Sequence, residues 1–429
     1  MKEKIIEKIK LLLNKGAVHI LLGNFLIKFV GLFGSIFIVR FLTKEEYGIL
    51  GYIENIYSYA SIFVGLGISL GIMRYLVIAD EDKRKNDLYV FALKFQTAFN
   101  LILVASISVF FYKFVDNEFT KDSGYLLNIY LCSLIFLDIT QTNLSLERAR
   151  LENKKYMWMS ALSAICSVLF RVIGAYGEGI TGVIIGKVLA DILVAISITI
   201  YIYKSFITKN GNERNKIKNR GEIIKYSFHN MISNGVWILF MITDVFLISH
   251  LTSDATLLAE YKVAYMIPSN MAIITSSVIV FIVPYFIKHE NDKTWVKNNF
   301  LKGIKLNCLM MGTLLILLEL LAKPIIYILY GSTYLNVVPL MRILLVAHFI
   351  NSAIKSFAAS LLTSMGYAKE NLIISIVGFI LQVAMAYNVI PRYGLIGLAI
   401  GSCFVYMFIA VCVIITFAVK FDFVKRVEG

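Results

Sequence analysis

The chain is a succession of long apolar runs separated by short polar segments. An α-helix rises 1.5 Å per residue, so about 20 apolar residues cross a hydrocarbon core of roughly 30 Å. Charged residues make up only 16% of the sequence, against about 25% in soluble domains. The sequence therefore predicts an all-α polytopic membrane protein with twelve transmembrane helices, at 17–42, 48–77, 88–112, 124–146, 156–176, 182–203, 228–250, 258–287, 303–322, 337–363, 371–390 and 395–419.

The basic residues concentrate in alternate loops. With the N-terminus inside, 27 of the 42 Lys and Arg lie in cytoplasmic segments and 5 in the opposite loops. Because Lys and Arg are retained on the cytoplasmic side of a membrane, both termini are predicted to be cytoplasmic. The net charge of +14 thus follows from membrane topology, and we expect no nucleic-acid partner.

A basic run at 204–227 divides the predicted spans into two sets of six. We interpret it as a cytoplasmic linker between an N-terminal lobe at 17–203 and a C-terminal lobe at 228–419. The flanking segments are predicted to be an amphipathic helix on the cytoplasmic surface at 1–16 and a cytoplasmic tail at 420–429.

An internal repeat supports two similar lobes. Tyr176-Gly177 precedes the motif GVIIG at 182–186, and Tyr393-Gly394 precedes GLAIG at 397–401. Six spans per half is an even number, so both copies have the same orientation. The two bundles are therefore predicted to be related by a pseudo-twofold axis along the membrane normal, with a cavity between them.

The first span carries a lysine near its middle. A charge at the centre of a bilayer costs roughly 2.5 to 3.5 kcal/mol, so Lys28 is expected to face protein or water. Asn24, Gly31 and Ser35 share its helix face and form a polar stripe of small residues. We predict that this stripe lines a cavity, with Glu54 of the next span as the resting partner of Lys28.

Four more charged residues lie deep in predicted spans and are expected to be internal: Asp138, Arg171, Asp191 and Lys355. Lys187 stands one turn before Asp191, which favours a structural ion pair. The carboxylates Glu54, Asp138, Asp191 and Asp244 either bind a proton or sodium ion or form structural pairs.

Two further stripes mix amides, aromatic rings and charges, as a sugar-binding face requires. One, in the tenth span, contains His348, Asn351 or Ser352, and Lys355; the other, in the seventh, contains Asn230, Asn234, Trp237, Met241 and Asp244. Simple helix packing explains the second stripe equally well. GEGITG at 177–182 fits the dinucleotide motif GxGxxG but lies in a short loop between spans and follows no strand. The sequence contains no catalytic constellation, metal-ligand spacing or Walker A motif, so no enzyme activity, metal or cofactor is expected.

Several motifs together resemble a known family. The run IKFVGLFGSIFIVRFLTKEEYG ending at Gly48, LERARLENKKY at 146–156, MGYAKEN at 365–371 and the two YG…GxxxG endings resemble the multidrug/oligosaccharidyl-lipid/polysaccharide (MOP) exporter superfamily. The closest resemblance is to Wzx-type repeat-unit flippases of bacterial surface polysaccharide assembly, such as O-antigen or capsule.

The resemblance implies a two-lobed transporter of the bacterial cytoplasmic membrane that works by alternating access. Its implied substrate is undecaprenyl-diphosphate-linked oligosaccharide, and its implied partners are membrane lipids and possible polymerase and chain-length proteins. In related lipid-linked peptidoglycan-precursor flippases a basic residue of the first span lines the cavity, and Lys28 matches it as a diphosphate contact. The predicted substrate-binding residues are Lys28, Asn24, Glu54, Arg171, Asp244, Lys355 and Asn351.

Two alternatives differ in class. A MATE-like cation-coupled multidrug antiporter of the same superfamily shares the twelve spans, but the basic residues Lys28, Arg171 and Lys355 favour an anionic substrate. A membrane-bound polymerase or glycosyltransferase would need a catalytic domain, and the longest outward loops, near 113–123 and 323–336, are too short to supply one.

Overall fold

The structure, a computed structural model, describes residues 17–79, 81–114, 124–207 and 220–422. Regular structure within these ranges is helical, as predicted. The α-helices are α1 Ala17–Phe41, α2 Lys44–Ile62, α3 Ile68–Ile78, α4 Asp82–Phe114, α5 Gly124–Ala149, α6 Asn153–Ile202, α7 Arg220–Thr252, α8 Ala255–Asn270, α9 Ala272–Lys288, α10 Lys293–Tyr330, α11 Val338–Phe349, α12 Phe357–Ser364 and α13 Ala368–Lys420.

Many of these helices are long and apolar enough to cross a bilayer. Six helical segments within the described ranges meet this requirement, and α2 with α3, bent by 42° at their junction, adds a seventh. Two of the six, at 153–207 and 368–420, contain 55 and 53 residues, more than twice the length of one crossing. The chain is an integral membrane protein.

Both of these long segments are broken near their middle by a glycine with left-handed backbone. Gly179 in α6 has φ 56° and ψ −136°, and Gly394 in α13 has φ 59° and ψ −150°. Glycine adopts such angles without a Cβ clash. The predicted fifth and sixth spans lie on either side of Gly179, and the predicted eleventh and twelfth on either side of Gly394.

The two halves of α6 pack backbone against backbone. A Cβ atom on Gly174 would overlap the carbonyl oxygen of Gly182, a Cβ on Gly182 would overlap that of Gly174, and a Cβ on Gly186 would overlap the carbonyl oxygen of Phe170. The small residues therefore allow the two halves to approach closely, as GxxxG spacing does in membranes.

The junction between α2 and α3 is a second kind of break. A short 3₁₀ segment, Val64–Gly67, separates the helices, and Gly65, Leu66 and Gly67 have φ values of 56°, 51° and 73°. Leucine rarely adopts positive φ. The segment is therefore held by its surroundings and not by local preference.

The chain divides into two compact units, Met1–Ile242 and Thr243–Gly429. The division falls within α7, whereas the predicted linker was 204–227. Residues 208–219 of that linker, the predicted surface helix at 1–16 and tail residues 423–429 lie outside the described residues.

Candidate functional site

The first unit contains an ion pair inside its helical bundle. The guanidinium of Arg171, in the first half of α6, donates from Nη2 to Oε1 of Glu54 in α2. The two side chains are 20% and 28% exposed, so the pair is half-buried and still accessible. Nε of Arg171 is buried without a hydrogen-bond partner. The guanidinium therefore keeps donor capacity that Glu54 does not use.

This pairing corrects one prediction. Glu54 was expected to rest against Lys28, but its carboxylate binds Arg171. Lys28 lies in α1 with its side chain exposed. The spacing along one helix does not report which neighbouring helix faces it, so the sequence could not distinguish the two cations.

A second ion pair lies further along α6. Lys187 donates to Asp191 one helical turn away, which confirms the predicted pair. Their side chains are 12% and 4% exposed, so this pair is more deeply buried than that of Arg171 and Glu54. Such a pair is a structural element, since removal of either partner leaves a buried charge.

Polar and aromatic side chains of α2 and α5 lie close to both pairs. The Ser133 hydroxyl of α5 donates to the Tyr57 hydroxyl of α2 at 3.1 Å, and Ser133 also lies within hydrogen-bonding reach of Asp191. The ring of Tyr57 packs edge-on against Tyr130, with centroids 4.7 Å apart. Tyr130 in turn lies within electrostatic range of Arg171. Sequence analysis did not single out these three residues, although all are polar groups within predicted spans.

Asp138 of α5 has a different hydrogen-bond partner. Its Oδ2 accepts a hydrogen bond of 2.8 Å from Asn100 of α4, and only 1% of the residue is exposed. The prediction that Asp138, Arg171, Asp191 and Lys355 are internal is therefore consistent with their positions.

In the second unit, Asp244 lies in a buried hydrogen-bonded group. Its carboxylate accepts from Gln382 of α13 at 2.7 Å and from the Tyr261 hydroxyl of α8 at 3.0 Å. Gln382 also donates to the Ser402 hydroxyl, in the second half of α13, at 3.0 Å. Gln382 and Ser402 are functional candidates that sequence analysis missed. The available signal was that each is a polar residue in one of the two apolar spans that flank the break at Gly394.

Asn351 and Lys355 lie in a π-helical segment, Ile350–Ser356, that follows α11. Both are buried, and Oδ1 of Asn351 has no hydrogen-bond partner. His348, just before the segment, packs its ring against Tyr265 and Tyr406. A π-helical turn inside an α-helix often marks a functional site.

Two predicted groups are only partly described. The side chain of Asn24 lies outside the described residues, as do those of Asn234, Trp237 and Met241 in the seventh-span stripe. In the part of the chain whose side chains are described, no group of three His, Cys, Asp or Glu is arranged to hold a metal ion.

The sequence of this helical bundle matches a known protein family. The family described as "Polysaccharide biosynthesis protein" matches the sequence over residues 37–339, more than half of the chain. The chain belongs to this family. A comparison with curated proteins finds no match.

The fold of this polysaccharide biosynthesis protein is that of MOP-superfamily transporters. An inward-facing multidrug resistance MATE family transporter of the MOP superfamily superposes with a TM-score of 0.75 at 14% identity, covering 94% of this chain and 96% of the other. The lipid II flippase MurJ, in an inward closed conformation, superposes with a TM-score of 0.73 at 16% identity, covering 93% and 87%. The fold implied by the resemblance to MOP exporters is thus confirmed.

Proposed function

We propose that this protein is a flippase that moves undecaprenyl-diphosphate-linked oligosaccharide repeat units across the bacterial cytoplasmic membrane by alternating access, for assembly of a surface polysaccharide. Membership of the polysaccharide biosynthesis family and the MOP fold support a transporter of this class. The single observation that carries the choice of an anionic substrate is the half-buried Arg171–Glu54 pair.

Arg171 is suited to bind a diphosphate. A guanidinium binds phosphate oxygens through two parallel N–H donors, and Arg171 has an unused Nε beside the Nη2 group that binds Glu54. A phosphate that approached this side chain would compete with the Glu54 carboxylate. Glu54 then acts as a resting counter-ion that keeps Arg171 oriented between transport cycles.

The other predicted ligands fit the proposal in different ways. Lys28 is exposed and available as a first diphosphate contact, with Asn24 on the same helix face. Asn351 and Lys355 are buried, so glycan binding there requires the π-helical segment to open. Asp244 binds glycan hydroxyls or a coupling ion through the same carboxylate oxygens.

The remaining features follow from the same proposal. The chain crosses the membrane twelve times, in two six-helix lobes related by a pseudo-twofold axis, with both termini cytoplasmic. The glycine breaks at Gly179 and Gly394, both with left-handed φ, support paired crossings in α6 and α13. The cycle is driven by a proton or sodium ion at one of Glu54, Asp138, Asp191 or Asp244. A polysaccharide polymerase and chain-length proteins act on the exported product, and the protein itself catalyses no covalent step.

Deletion of the gene in its native host tests the proposal. We expect loss of the surface polymer with accumulation of its lipid-linked precursor inside the cell. Complementation with wild type should restore the polymer, whereas Arg171→Gln should leave the precursor trapped at normal protein levels. Unchanged polymer in the deletion strain would refute the flippase function.

The alternative is a MATE-like cation-coupled multidrug antiporter. It is favoured by Asp244, a buried carboxylate that binds Gln382 and Tyr261, an arrangement suited to a coupling cation or a cationic drug. In the same deletion strain this function predicts normal polymer and greater sensitivity to cationic dyes.

A further inference from the structure

The break between α2 and α3 is linked to Asp138 by two hydrogen bonds. The backbone N–H of Gly65 donates to Oδ1 of Asn100 at 2.6 Å, and Nδ2 of Asn100 donates to Oδ2 of Asp138 at 2.8 Å. All three groups are buried. The amide of Asn100 therefore joins the irregular backbone of Gly65 to a carboxylate on a different helix.

Asp138 has no compensating charge. No ion pair involves it within the described residues, and its second oxygen, Oδ1, is buried without a hydrogen-bond partner. The side chains that act on it most strongly, Ser69 of α3 and Asn100 of α4, do not titrate. A buried carboxylate without a compensating charge is unfavourable unless a cation or a proton neutralises it.

A cavity of about 180 Å³ lies beside Asp138. It is lined by Asp138 and Gln141 of α5, Ser69 of α3, Gly67 of the break and Met231 of α7. It is large enough for a cation with several ligands or waters. The carboxylate, amide and hydroxyl oxygens around it are the ligand type that hard cations prefer.

We propose that Asp138 and this cavity bind a small monovalent cation, a sodium ion or a proton, and that Asn100 links this site to the α2–α3 break. The proposal deepens the proposed function, because it assigns the coupling cation to one of four candidate carboxylates. Cation binding itself requires no substrate and can be measured alone.

The hydrogen-bond directions explain the link. While Oδ2 of Asp138 accepts from the Asn100 amide N–H, the amide oxygen faces Gly65 and accepts its N–H. A proton on Oδ2 would make this oxygen a donor, and Asn100 would then have to turn its own oxygen toward Asp138. Gly65 would then lose its partner. Because Leu66 is held at φ 51°, loss of this bond favours rearrangement of the break.

The experiment uses the full-length protein in lipid nanodiscs. Thermal unfolding is followed at neutral pH in sodium chloride and in matched choline chloride, for wild type, Asp138→Asn and the control Asp254→Asn. If the cation is sodium, its addition raises the unfolding midpoint of wild type and Asp254→Asn, and has no effect on Asp138→Asn. A sodium effect that survives in Asp138→Asn overturns the proposal.

Infrared difference spectra recorded after a pH step test whether the cation is a proton. If it is a proton, wild type shows a protonated carboxyl C=O band that is absent in Asp138→Asn, with no preference for sodium. A wild type that shows neither this band nor a sodium effect overturns the proposal.

Gln141→Leu serves if Asp138→Asn fails to fold. This variant keeps the carboxylate and changes only the cavity wall, so it should weaken sodium binding about tenfold or more or shift the carboxyl band. An unchanged sodium affinity and an unchanged band overturn the proposal. None of these measurements involves substrate. If the cation response is intact but the protein does not flip lipid, the proposed function is refuted and the cation site is not.

Discussion

Arg171 and Glu54 lie 117 residues apart in the sequence, and the Arg171 guanidinium donates to the Glu54 carboxylate between α6 and α2. Both side chains remain partly exposed, and the Nε donor of Arg171 is unused. The deeper pair, Lys187 and Asp191, lies within one helix and is nearly closed to solvent. The carboxylate of the first pair can therefore be replaced by another anion. In the second pair, the same replacement would leave Asp191 charged and unpaired in a buried position.

Substitutions of Arg171 should distinguish what its positive charge contributes to export from what its planar donor geometry contributes. Arg171→Lys keeps the positive charge but removes the planar pair of donors, so we expect export to fall strongly, and Arg171→Gln should abolish it. Glu54→Gln should be milder, since it removes only the resting counter-ion. Surface polymer and trapped lipid-linked precursor, normalised to the amount of membrane-inserted protein, provide the measurement.

The same pair can be tested for coupling by a double-mutant cycle with Glu54→Gln and Arg171→Gln. Contacting charged residues couple by about 0.5–3 kcal/mol, and partial exposure places this pair toward the lower end. The unfolding midpoints of the four proteins give the coupling. Additive effects would contradict a direct ion pair.

We expect Lys28 to be required for export and to contribute little to stability. Because its side chain is exposed, Lys28→Ala removes no buried contact, and we expect an unfolding midpoint close to wild type with export abolished or strongly reduced. Lys323→Ala, which removes another exposed lysine, is the control and should export normally. Normal export by Lys28→Ala would exclude the diphosphate contact.

The positions of the helices could be predicted from the sequence because bilayer thickness limits the length of each apolar run. Two breaks could be predicted, because the repeated Tyr-Gly pairs at 176 and 393 precede short interruptions, and Gly179 and Gly394 adopt the left-handed angles there. The break at Val64–Gly67 lies inside the predicted span 48–77 and was not predicted. Lys187 and Asp191 were predictable as a pair because both lie on one helix.

The partners that come from different helices could not be predicted. Glu54 meets Arg171 because of how α2 and α6 are rotated about their own axes, and a sequence stripe gives no such rotation. Gln382 and Asn100 were missed for another reason. Each is a neutral amide in an apolar run, and only the structure shows that each one donates to a buried carboxylate.

The close approach within α6 gives a prediction with a matched control. Gly182→Ala places a methyl group against the backbone oxygen of Gly174, and because backbone cannot move aside, we expect a loss of about 1–3 kcal/mol or more in stability. Gly177→Ala has nothing within 4 Å of the added carbon and should be neutral or slightly stabilising. The unfolding midpoints of the two variants in the same detergent provide the comparison. Equal midpoints would show that the halves of α6 are not packed this closely.

Asp254 provides a test that depends on pH. It precedes α8, and its Oδ1 accepts from the Thr256 N–H at 2.8 Å, the Thr256 hydroxyl at 2.7 Å and the Leu257 N–H at 3.3 Å. Burial opposes ionisation, but these hydrogen bonds outweigh it and hold the pKa of Asp254 below its ordinary value. A depressed pKa means that this stabilisation is complete above the ordinary value, about 3.9, and is lost as the pH falls below it.

Asp254→Ala removes the helix cap and should cost about 1 kcal/mol at neutral pH. Asp254→Asn keeps an acceptor that caps a helix as well as aspartate does, so its midpoint at neutral pH should stay near wild type. Because asparagine does not titrate, the difference between wild type and Asp254→Asn should change in favour of Asp254→Asn as the pH falls below about 4. Unfolding midpoints measured across this range provide the test, and a difference independent of pH would show that Asp254 does not stabilise α8 through its ionised form.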